Sequence, residues 1–403
     1  MPFEGAKLAA LALTLSAPPA LAAIPQEEDA LAARLDRVID AWVLSGRIAG
    51  AVVLVARDGE LVYRRAAGYA DREREAPVRE DTIFRLASMT KTIVAATALA
   101  LVEEGKLRLD DPVAHWLPYF TPALPDGRRP PISIRQLMSH TSGLTHGFDA
   151  ADGPYRRLGV SIGLDDAGIT LEENLRRLAQ APLVAPPGSR WGYSISTDVL
   201  GAVVAKAAGM PLAAAVRHYV TGPLGMHDTA FFVVQEQRLA AAYKDGDPKA
   251  IRMRDAGDVI PMGIGVPFSP RRALDPGAFP SGGAGMNGTA GDYLRLLEAI
   301  RRGGAPILSP KSAARLAEHA IGELRAESEG PGWGFSLGAA VLLDPDAAGS
   351  PQSRGTWYWG GVLGGYWFVD PVEKLSVVSL TNTTPAGVIG PFPDAIRDAV
   401  YGR

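Results

Sequence analysis

The stretch that decides the fold is RLASMTKTIVAATALALVEEG, residues 85–105. Its second half is apolar nearly all round, which is typical of a buried helix, and Gly105 is the expected stop. Ser88 and Lys91 form an S-x-x-K pattern at the start of that helix, where free backbone N–H groups and the helix dipole favour a developing negative charge. The pattern predicts a reactive serine beside an ammonium on one helix face. A helix-capping serine beside a surface lysine is the alternative that these residues alone leave open.

Composition limits the class of protein. The chain has 403 residues, 47% of them hydrophobic, which is enough for one large domain or two closely packed ones. Its 41 basic and 44 acidic residues are spread along the chain, and this balance argues against nucleic acid or an anionic membrane as a partner. With no cysteine, disulfides, a thiol nucleophile and thiolate metal sites are excluded. No later apolar run has the length of a membrane span.

The N-terminus has the pattern of an export signal. An apolar run, LAALALTLSA, follows MPFEGAK, and Ala20-Leu21-Ala22 matches a signal-peptidase site. We predict a signal peptide over residues 1–22 and a periplasmic or secreted mature protein. Because Glu4 opposes Lys7, a cytoplasmic protein with an N-terminal extension is the alternative.

Strand patterns lie near both ends of the chain, and helical patterns lie between them. Two β-rich runs flank Asp58-Gly59, which predicts a hairpin, and four closely spaced strand patterns follow residue 325. We predict a two-lobed α+β fold. One lobe, residues 24–81 and 325–403, would hold an antiparallel sheet flanked by helices; a mostly helical lobe, residues 82–324, would be inserted, and the two would act as one catalytic domain.

A second serine competes with Ser88. GVSIG at residues 159–163 matches the G-x-S-x-G turn of α/β-hydrolases. That turn needs a buried strand before the serine and a helix after it, whereas Ser161 follows a charged segment containing Pro154 and precedes the turn sequence GLDDAG. We therefore interpret Ser161 as a chance match in a loop.

Five motifs in a fixed order decide between the two readings of Ser88. They are RLASMTK with its buried helix, LMSHTSGL at 137–144, WGYSISTDVLG at 191–201, PSGGAGMNGTAGD at 280–292 and WGGVLGGYWFVDP at 359–371. Together they extend over nearly the whole mature chain. The sequence resembles the serine β-lactamase and penicillin-binding-type proteins, and within them it is most similar to the family VIII carboxylesterases, which share the class C β-lactamase fold.

The resemblance implies a role for each motif residue. Ser88 would be the nucleophile that accepts the acyl group, and Lys91 would be its proton-handling neighbour. Tyr193 would be the general base or proton relay; a phenol is a weak base unless a nearby cation favours its phenolate form. The backbone N–H groups of Ser88 and Val362 would form the oxyanion hole.

Two departures from the β-lactamase motifs point to the substrate. Ile195 stands where Y-x-N has its asparagine, and Trp359-Gly360-Gly361 stands in place of K-T-G. The first change removes a partner for a substrate amide, and the second removes a cation for the β-lactam carboxylate. Both favour neutral esters, with Ile195, Trp359, Gly360 and Gly361 at the substrate site.

Other side chains near these motifs are candidates for the same pocket. We predict that His146 contacts substrate, with an ordinary loop histidine as the alternative. We predict that Phe148 contacts substrate as a pocket wall, with a core aromatic as the alternative. Tyr366 and Trp367 are pocket walls or core residues. His140, at a helix end, is expected to be structural through a hydrogen bond to the backbone.

These features predict a serine carboxylesterase that hydrolyses short-chain acyl esters. Its partner would be a small-molecule ester, and the mechanism requires no cofactor and no metal. A β-lactamase, D-amino-acid peptidase, amide hydrolase or acyltransferase of the same fold is one alternative. A non-catalytic sensor or binding protein that is acylated and stalls is another. The oligomeric state is not assigned.

Overall fold

The computed structural model describes residues 24–147 and 152–403. The predicted signal segment 1–22 and the candidate Phe148 lie outside the described residues. Within the described part of the chain, no single helix is long and apolar enough to cross a membrane. Two consecutive helices, Ser196–Ala208 and Leu212–Thr221, pass the test when they are counted together, on length and composition alone. The bend between them is 78°.

The strands fall into one large sheet and three small ones. In chain order they are β1 Gly50–Arg57, β2 Glu60–Asp71, β3 Ala76–Pro77, β4 Phe84–Arg85, β5 Tyr243–Lys244, β6 Ile251–Arg252, β7 Asp258–Ile260, β8 Val266–Phe268, β9 Asn287–Gly288, β10 Trp333–Phe335, β11 Ala340–Leu342, β12 Trp357–Gly361, β13 Gly365–Asp370, β14 Leu375–Thr381 and β15 Thr383–Thr384.

The large sheet joins the two ends of the described chain. Its strand order is β10-β11-β12-β13-β14-β1-β2-β3, and every pair is antiparallel. The first strand pairs with β14 in a register that sets Ala51 opposite Thr381. The predicted hairpin joins β1 and β2, and Asp58 (φ +52°) and Gly59 (φ +92°) both adopt the left-handed conformation that a tight two-residue turn requires.

The helices pack on both faces of that sheet and fill the middle of the chain. They are α1 Ile24–Leu44, α2 Thr90–Glu103, α3 Val113–Trp116, α4 Ile134–Met138, α5 Pro154–Arg157, α6 Leu171–Leu178, α7 Ser196–Ala208, α8 Leu212–Val216, α9 Ala290–Arg301, α10 Pro310–Ala317, α11 Pro345–Ala348 and α12 Pro391–Tyr401.

The sheet is buried on both sides because its strands alternate apolar residues between two cores. Val52 and Leu54 of β1 belong to the main core, which also contains α2 and α9. Val53 and Val55 point the other way and pack in a second core with α1 and α12. This arrangement confirms the predicted fold class, in which strands from both ends of the chain form one antiparallel sheet flanked by helices.

The helix of the opening stretch forms as predicted. Every residue from Thr90 to Leu101 is buried, and the chain turns at Gly105 with φ +70°. This helix contacts α7 and α10 as well as the 3-10 turn before it, so it lies in the centre of the molecule. Its position places the residues at its start deep between the sheet and the helices.

Two parts of the fold differ from the sequence-based expectation. The long helix α1 was not predicted, although Leu31, Leu35 and Ile39 recur at helical spacing and are buried. Residues 258–268, inside the lobe predicted as mostly helical, form the strand pair β7–β8. The lobe boundaries at residues 81 and 325 stay a prediction, since α9 of the middle segment packs directly on β14.

Candidate active site

Ser88 lies in a tight 3-10 turn, Ala87–Met89, that leads directly into α2. Ala87 has φ +46°, a left-handed conformation that is strained for a residue with a Cβ and that clusters at functional sites. The end of β12 closes over this turn: a Cβ at Gly361 would lie 2.1 Å from the carbonyl oxygen of Leu86. Glycine is therefore required at 361 for the sheet to approach the serine so closely.

The hydroxyl of Ser88 contacts both predicted partners. Tyr193 Oη lies 2.6 Å from Ser88 Oγ, and Lys91 Nζ donates to the same oxygen at 3.2 Å. Tyr193 is 105 positions away in the sequence, so only the tertiary fold brings it to the serine. The nucleophile candidate thus has a phenol and an ammonium within hydrogen-bonding distance, the geometry of an activated serine.

Lys91 is held by contacts on three sides. Its side chain is buried, with 3% of its surface exposed. Besides Ser88, Nζ donates to the carbonyl oxygen of Gly283 at 2.7 Å and lies 4.8 Å from the centre of the Tyr193 ring. A buried ammonium with these contacts places positive charge next to both the serine and the phenol.

The ring of Tyr193 is fixed by other rings. The ring centres of His146, His140 and Trp359 lie 4.6, 4.9 and 5.0 Å from it. The backbone beside it is tied to the 140–145 loop, because Gly192 N–H donates to His140 O at 2.9 Å and Ile195 N–H to Thr145 O at 3.3 Å. Few positions are therefore open to the phenol oxygen other than the one at Ser88.

A buried chain of polar groups supports Tyr193 from behind, and no local sequence pattern indicated it. His140 Nδ1 lies 3.0 Å from Ser194 Oγ, which lies 2.7 Å from Ser196 Oγ, and Ser142 Oγ follows at 2.7 Å. His140 is thus structural, as expected, but the partner of its ring is the Ser194 side chain rather than the backbone. The expected backbone partner was wrong because the 191–196 segment packs against the helix end.

Both histidines beside Tyr193 have a pKa well below the ordinary value. Burial is the largest cause for His140 and for His146, and the charge of Lys91 is the second. Protonating either ring would place a second cation in a buried site that already holds an ammonium. Both rings are therefore neutral at neutral pH.

The serine opens onto a large pocket of about 890 Å³. Of the predicted site residues, Ser88, Tyr193, His146, Trp359, Gly360 and Val362 line it. Tyr366 lines it as well, whereas Trp367 is fully buried and belongs to the core. The pocket also has a polar wall that no motif indicated, with Arg190, Glu329, Ser350, Gln352 and Arg397 among its residues.

Two predicted substrate contacts are wrong in this structure. The side chain of Ile195 is completely buried in the main core, because this residue turns inward as the chain enters α7. Gly361 faces the Ser88 turn, where a Cβ would meet Leu86 and Met89, rather than the pocket. Gly361 lets the strand approach the serine closely. Ile195 does not contact the pocket, and its effect there is that the asparagine of Y-x-N is missing.

The second candidate serine sits in a closed hydrogen-bonded turn. Ser161 Oγ donates to the carboxylate of Asp165 and accepts from Gly163 N–H at 3.1 Å. The Asn174 side-chain amide bonds both the N–H and the C=O of Ser161, each at 2.8 Å. This serine is buried and does not line the pocket, so GVSIG forms a structural turn.

An antiparallel sheet from both chain ends, a buried helix that begins at S-x-x-K and a tyrosine on the same serine together define the serine β-lactamase and penicillin-binding class of fold. The family model described as Beta-lactamase matches residues 28–398. The chain therefore belongs to the β-lactamase family.

Similar proteins specify the branch of the family. The chain is 53% identical over 377 residues to Esterase EstB from Burkholderia gladioli, covering 93% of this chain and 96% of that protein. The solved structure of EstCE1, described as a hydrolase with promiscuous acyltransferase activity, has a TM-score of 0.91 and 47% identity, covering 94% of this chain and all of that one. Simvastatin synthase (LovD) from Aspergillus terreus, at 22% identity, 91% and 97% coverage and a TM-score of 0.73, shares the fold. The resemblance to family VIII carboxylesterases is thereby confirmed.

Proposed function

We propose that the protein is a serine carboxylesterase that hydrolyses short-chain acyl esters through a covalent acyl-enzyme on Ser88. The observation that carries this proposal is the convergence of Tyr193 and Lys91 on Ser88 Oγ, at 2.6 and 3.2 Å, at the wall of a large pocket. The enzyme class rests on the 53% identity with Esterase EstB along nearly the full length of both chains. The small-molecule substrate is an ester.

Acylation begins when Ser88 Oγ attacks the ester carbonyl carbon. Tyr193 acts in its phenolate form: its oxygen takes the Ser88 proton as the new C–O bond forms and becomes the neutral phenol. Lys91 Nζ stabilises the negative charge on the phenolate before the transfer and on Ser88 Oγ during it. The tetrahedral intermediate collapses, the bond to the alcohol oxygen breaks, and Tyr193 returns the proton to the leaving alkoxide. Water then attacks the acyl-enzyme by the same sequence and releases the acid.

The backbone supplies the oxyanion hole in this proposal. Ser88 lies in the 3-10 turn directly before α2 and Val362 in the turn directly after β12, and both line the pocket. Their N–H groups would donate to the carbonyl oxygen as its charge develops. The close approach of Gly361 to Leu86 supports this pairing, because it brings the two turns together.

The pocket favours a neutral ester with a bulky alcohol portion. Trp359 occupies the position of the lysine in K-T-G and packs 5.0 Å from the Tyr193 ring, so the motif presents an aromatic face instead of a cation. Arg397, on the polar wall, is paired with Asp394 and Asp398. A volume of about 890 Å³ is much larger than a short acyl chain needs.

Ester and β-lactam cleavage can be compared directly. We expect steady turnover of a p-nitrophenyl short-chain ester and far slower ring opening of a chromogenic cephalosporin by the same enzyme. Ring opening as fast as ester cleavage would identify a β-lactamase. An acyl burst without turnover would identify an acylated sensor.

Acyl transfer is the second candidate activity, since EstCE1 is described as having promiscuous acyltransferase activity. Adding an alcohol or amine acceptor to the ester assay tests it. Formation of the acylated acceptor in addition to the free acid would establish transfer, and an unchanged yield of free acid would restrict the enzyme to hydrolysis.

We also propose that the protein is exported, on the strength of the residue 1–22 pattern alone. Expression of the full chain in a Gram-negative host, followed by fractionation and mass measurement, tests this proposal. A mature periplasmic chain that begins at Ala23 is expected. A full-length cytoplasmic chain would contradict export.

A further inference from the structure

One buried carboxyl group lies behind the catalytic centre, and the mechanism above does not use it. Asp198 stands in the first turn of α7, five positions after Tyr193, and is 1% exposed. Its carboxylate oxygens have no hydrogen-bond partner of standard geometry among the described residues, although the Ser281 side chain and the Gly283 backbone N–H lie close enough to stabilise its charge. A buried carboxylate without such a partner is costly, so its retention calls for a compensating charge.

Lys91 is the charge that Asp198 faces. A Cβ at Gly283 would lie 2.4 Å from Asp198 Oδ2 and 3.6 Å from Lys91 Nζ, which bounds the separation of the two charged groups at about 6 Å. Gly283 lies between them without a side chain, and its carbonyl oxygen accepts a hydrogen bond from Lys91. The two groups therefore interact across a glycine in a buried, weakly screened environment.

Among residues 24–147 and 152–403, the other groups that contact Lys91 carry no negative charge. The partners of Lys91 are Ser88, the Tyr193 ring and the Gly283 carbonyl, and the two nearby histidines, His140 and His146, are neutral. Asp198 is therefore the acidic side chain that faces this ammonium.

Asp198 itself faces a small set of polar groups. Burial raises the pKa of the Asp198 carboxyl above its ordinary value. A hydrogen bond from the Ser281 side chain, the Lys91 charge, a hydrogen bond from the Gly283 backbone and the Arg272 charge reduce that rise without cancelling it. Arg272 is already engaged, since it donates to the carbonyl oxygens of Asp165 and Phe279 at 2.9 and 2.6 Å.

We propose that Asp198 is a positioning residue whose negative charge keeps Lys91 protonated, so that Tyr193 and not Lys91 takes the proton from Ser88. This inference rests on the proposed esterase mechanism and assigns the base within it. The ammonium donates to Ser88 Oγ throughout, and the phenol oxygen is the group that gains and loses the proton. Because α7 and the segment before it hold both Asp198 and Tyr193, one rigid element fixes the base and the counter-ion together.

The substitution Asp198→Asn tests this assignment, because it removes the charge and keeps the shape. An ammonium that loses its counter-ion releases its proton at lower pH. If activity needs the ammonium, the alkaline limb of the kcat/KM profile for a p-nitrophenyl short-chain ester moves down by about one pH unit or more. A purely structural role for Asp198 would instead lower kcat/KM at every pH and leave the limb in place.

Asp292→Asn is the matched control. Asp292 is also a buried aspartate in the first turn of a helix, but its partners are Asp228 N–H, Thr229 and Arg295. We expect its profile to coincide with that of the unmodified enzyme. The same shift in both variants would overturn the proposal.

Gly283→Ala changes the distance between Asp198 and Lys91 instead of the charge of Asp198. It also tests the proposal if Asp198→Asn does not fold. Its methyl group would push the carboxylate away from Lys91 while leaving the charge present, and we expect a smaller shift of the alkaline limb in the same direction. Gly291→Ala, at a position with nothing within 4 Å, is its control.

Two further outcomes would overturn the proposal. One is an unchanged alkaline limb in a folded Asp198→Asn enzyme. The other is an acid limb that moves to lower pH with higher activity at neutral pH, since that result would make neutral Lys91 the base. Ser88→Ala, measured in parallel, distinguishes a failure of the esterase mechanism from a failure of the Asp198 proposal. If Ser88→Ala stays active, the esterase mechanism is wrong. If it is inactive, the pH profiles test the role of Asp198 alone.

Discussion

The turns that hold Ser88 and Ser161 differ in the hydrogen-bond partners of each hydroxyl and in its access to the pocket. Ser161 Oγ is closed into a local turn by Asp165, four positions away, and by Gly163 N–H. Ser88 Oγ faces a pocket and meets Tyr193, which is 105 positions away. A serine satisfied by its own loop is structural. A serine that depends on distant residues and an open pocket is available for chemistry.

Removing the Ser88 hydroxyl has the largest expected effect. Ser88→Ala should lower kcat for a p-nitrophenyl ester by about five orders of magnitude or more, because no other group can form the acyl-enzyme. Steady-state kinetics and the mass of the enzyme after treatment with a slow ester measure the loss of turnover and of acylation. Activity within tenfold of the unmodified enzyme would reject Ser88 as the nucleophile.

Removing the long-range partner of Ser88 has the next largest effect. Tyr193→Phe keeps the ring among His140, His146 and Trp359 and deletes only the oxygen at Ser88. We expect kcat to fall by about two to four orders of magnitude, the usual range for a general base. Tyr401→Phe is the control, because the Tyr401 hydroxyl donates to Asp370 and belongs to α12, which packs in the second core and not at Ser88. Equal losses in both variants would point to destabilisation instead of lost proton transfer.

The Ser88 region should also make the protein sensitive to acid. Because the folded-state pKa of His140 is lowered, the unfolded chain binds the extra proton first, and stability is lost as pH falls below the ordinary histidine value of about 6.5. Urea unfolding should show a contribution of up to about 1.4 kcal/mol per pH unit from this residue.

His140→Asn should remove that contribution, and His227→Asn, at an exposed position, should not. The His140 variant will itself be less stable at neutral pH, because Ser194 Oγ loses its hydrogen bond to the His140 ring. The comparison therefore concerns the slope of stability against pH. An unchanged slope in the His140 variant would contradict a neutral buried ring.

Removing the Ser161 hydroxyl has the smallest effect on catalysis. Ser161→Ala should leave kcat within about twofold and lower the free energy of unfolding by about 2 kcal/mol, because the hydroxyl makes two hydrogen bonds that contribute about 1 kcal/mol each. Loss of activity in a folded Ser161→Ala enzyme would reverse the comparison and make GVSIG the catalytic turn.

The parts that could be predicted depend on short-range pattern. The hairpin at Asp58-Gly59 follows from the turn preference of two adjacent residues. The buried helix after Ser88 follows from an apolar run that has no polar face. The capping box formed by Ser133 and Gln136 at the start of α4 is likewise local, since its two residues are three positions apart. Each of these features is decided within a few positions of chain.

Other features could not be predicted because they depend on how distant segments pack. Ile195 occupies a motif position, yet its side chain turns into the core as α7 begins. The motif gave no sign that His140 pairs with Ser194, 54 positions later, since the spacing of two loops decides that contact.

By itself, the sequence determined the antiparallel sheet from both chain ends and, through the order of its motifs, the candidate serine, lysine and tyrosine. The tertiary structure alone decided which oxygen the tyrosine reaches, which glycine lets β12 approach the serine and which carboxylate faces Lys91. The physical reason is that turns and helices form from interactions between near neighbours, whereas a catalytic geometry of about 3 Å between oxygens requires segments a hundred positions apart to pack in one arrangement.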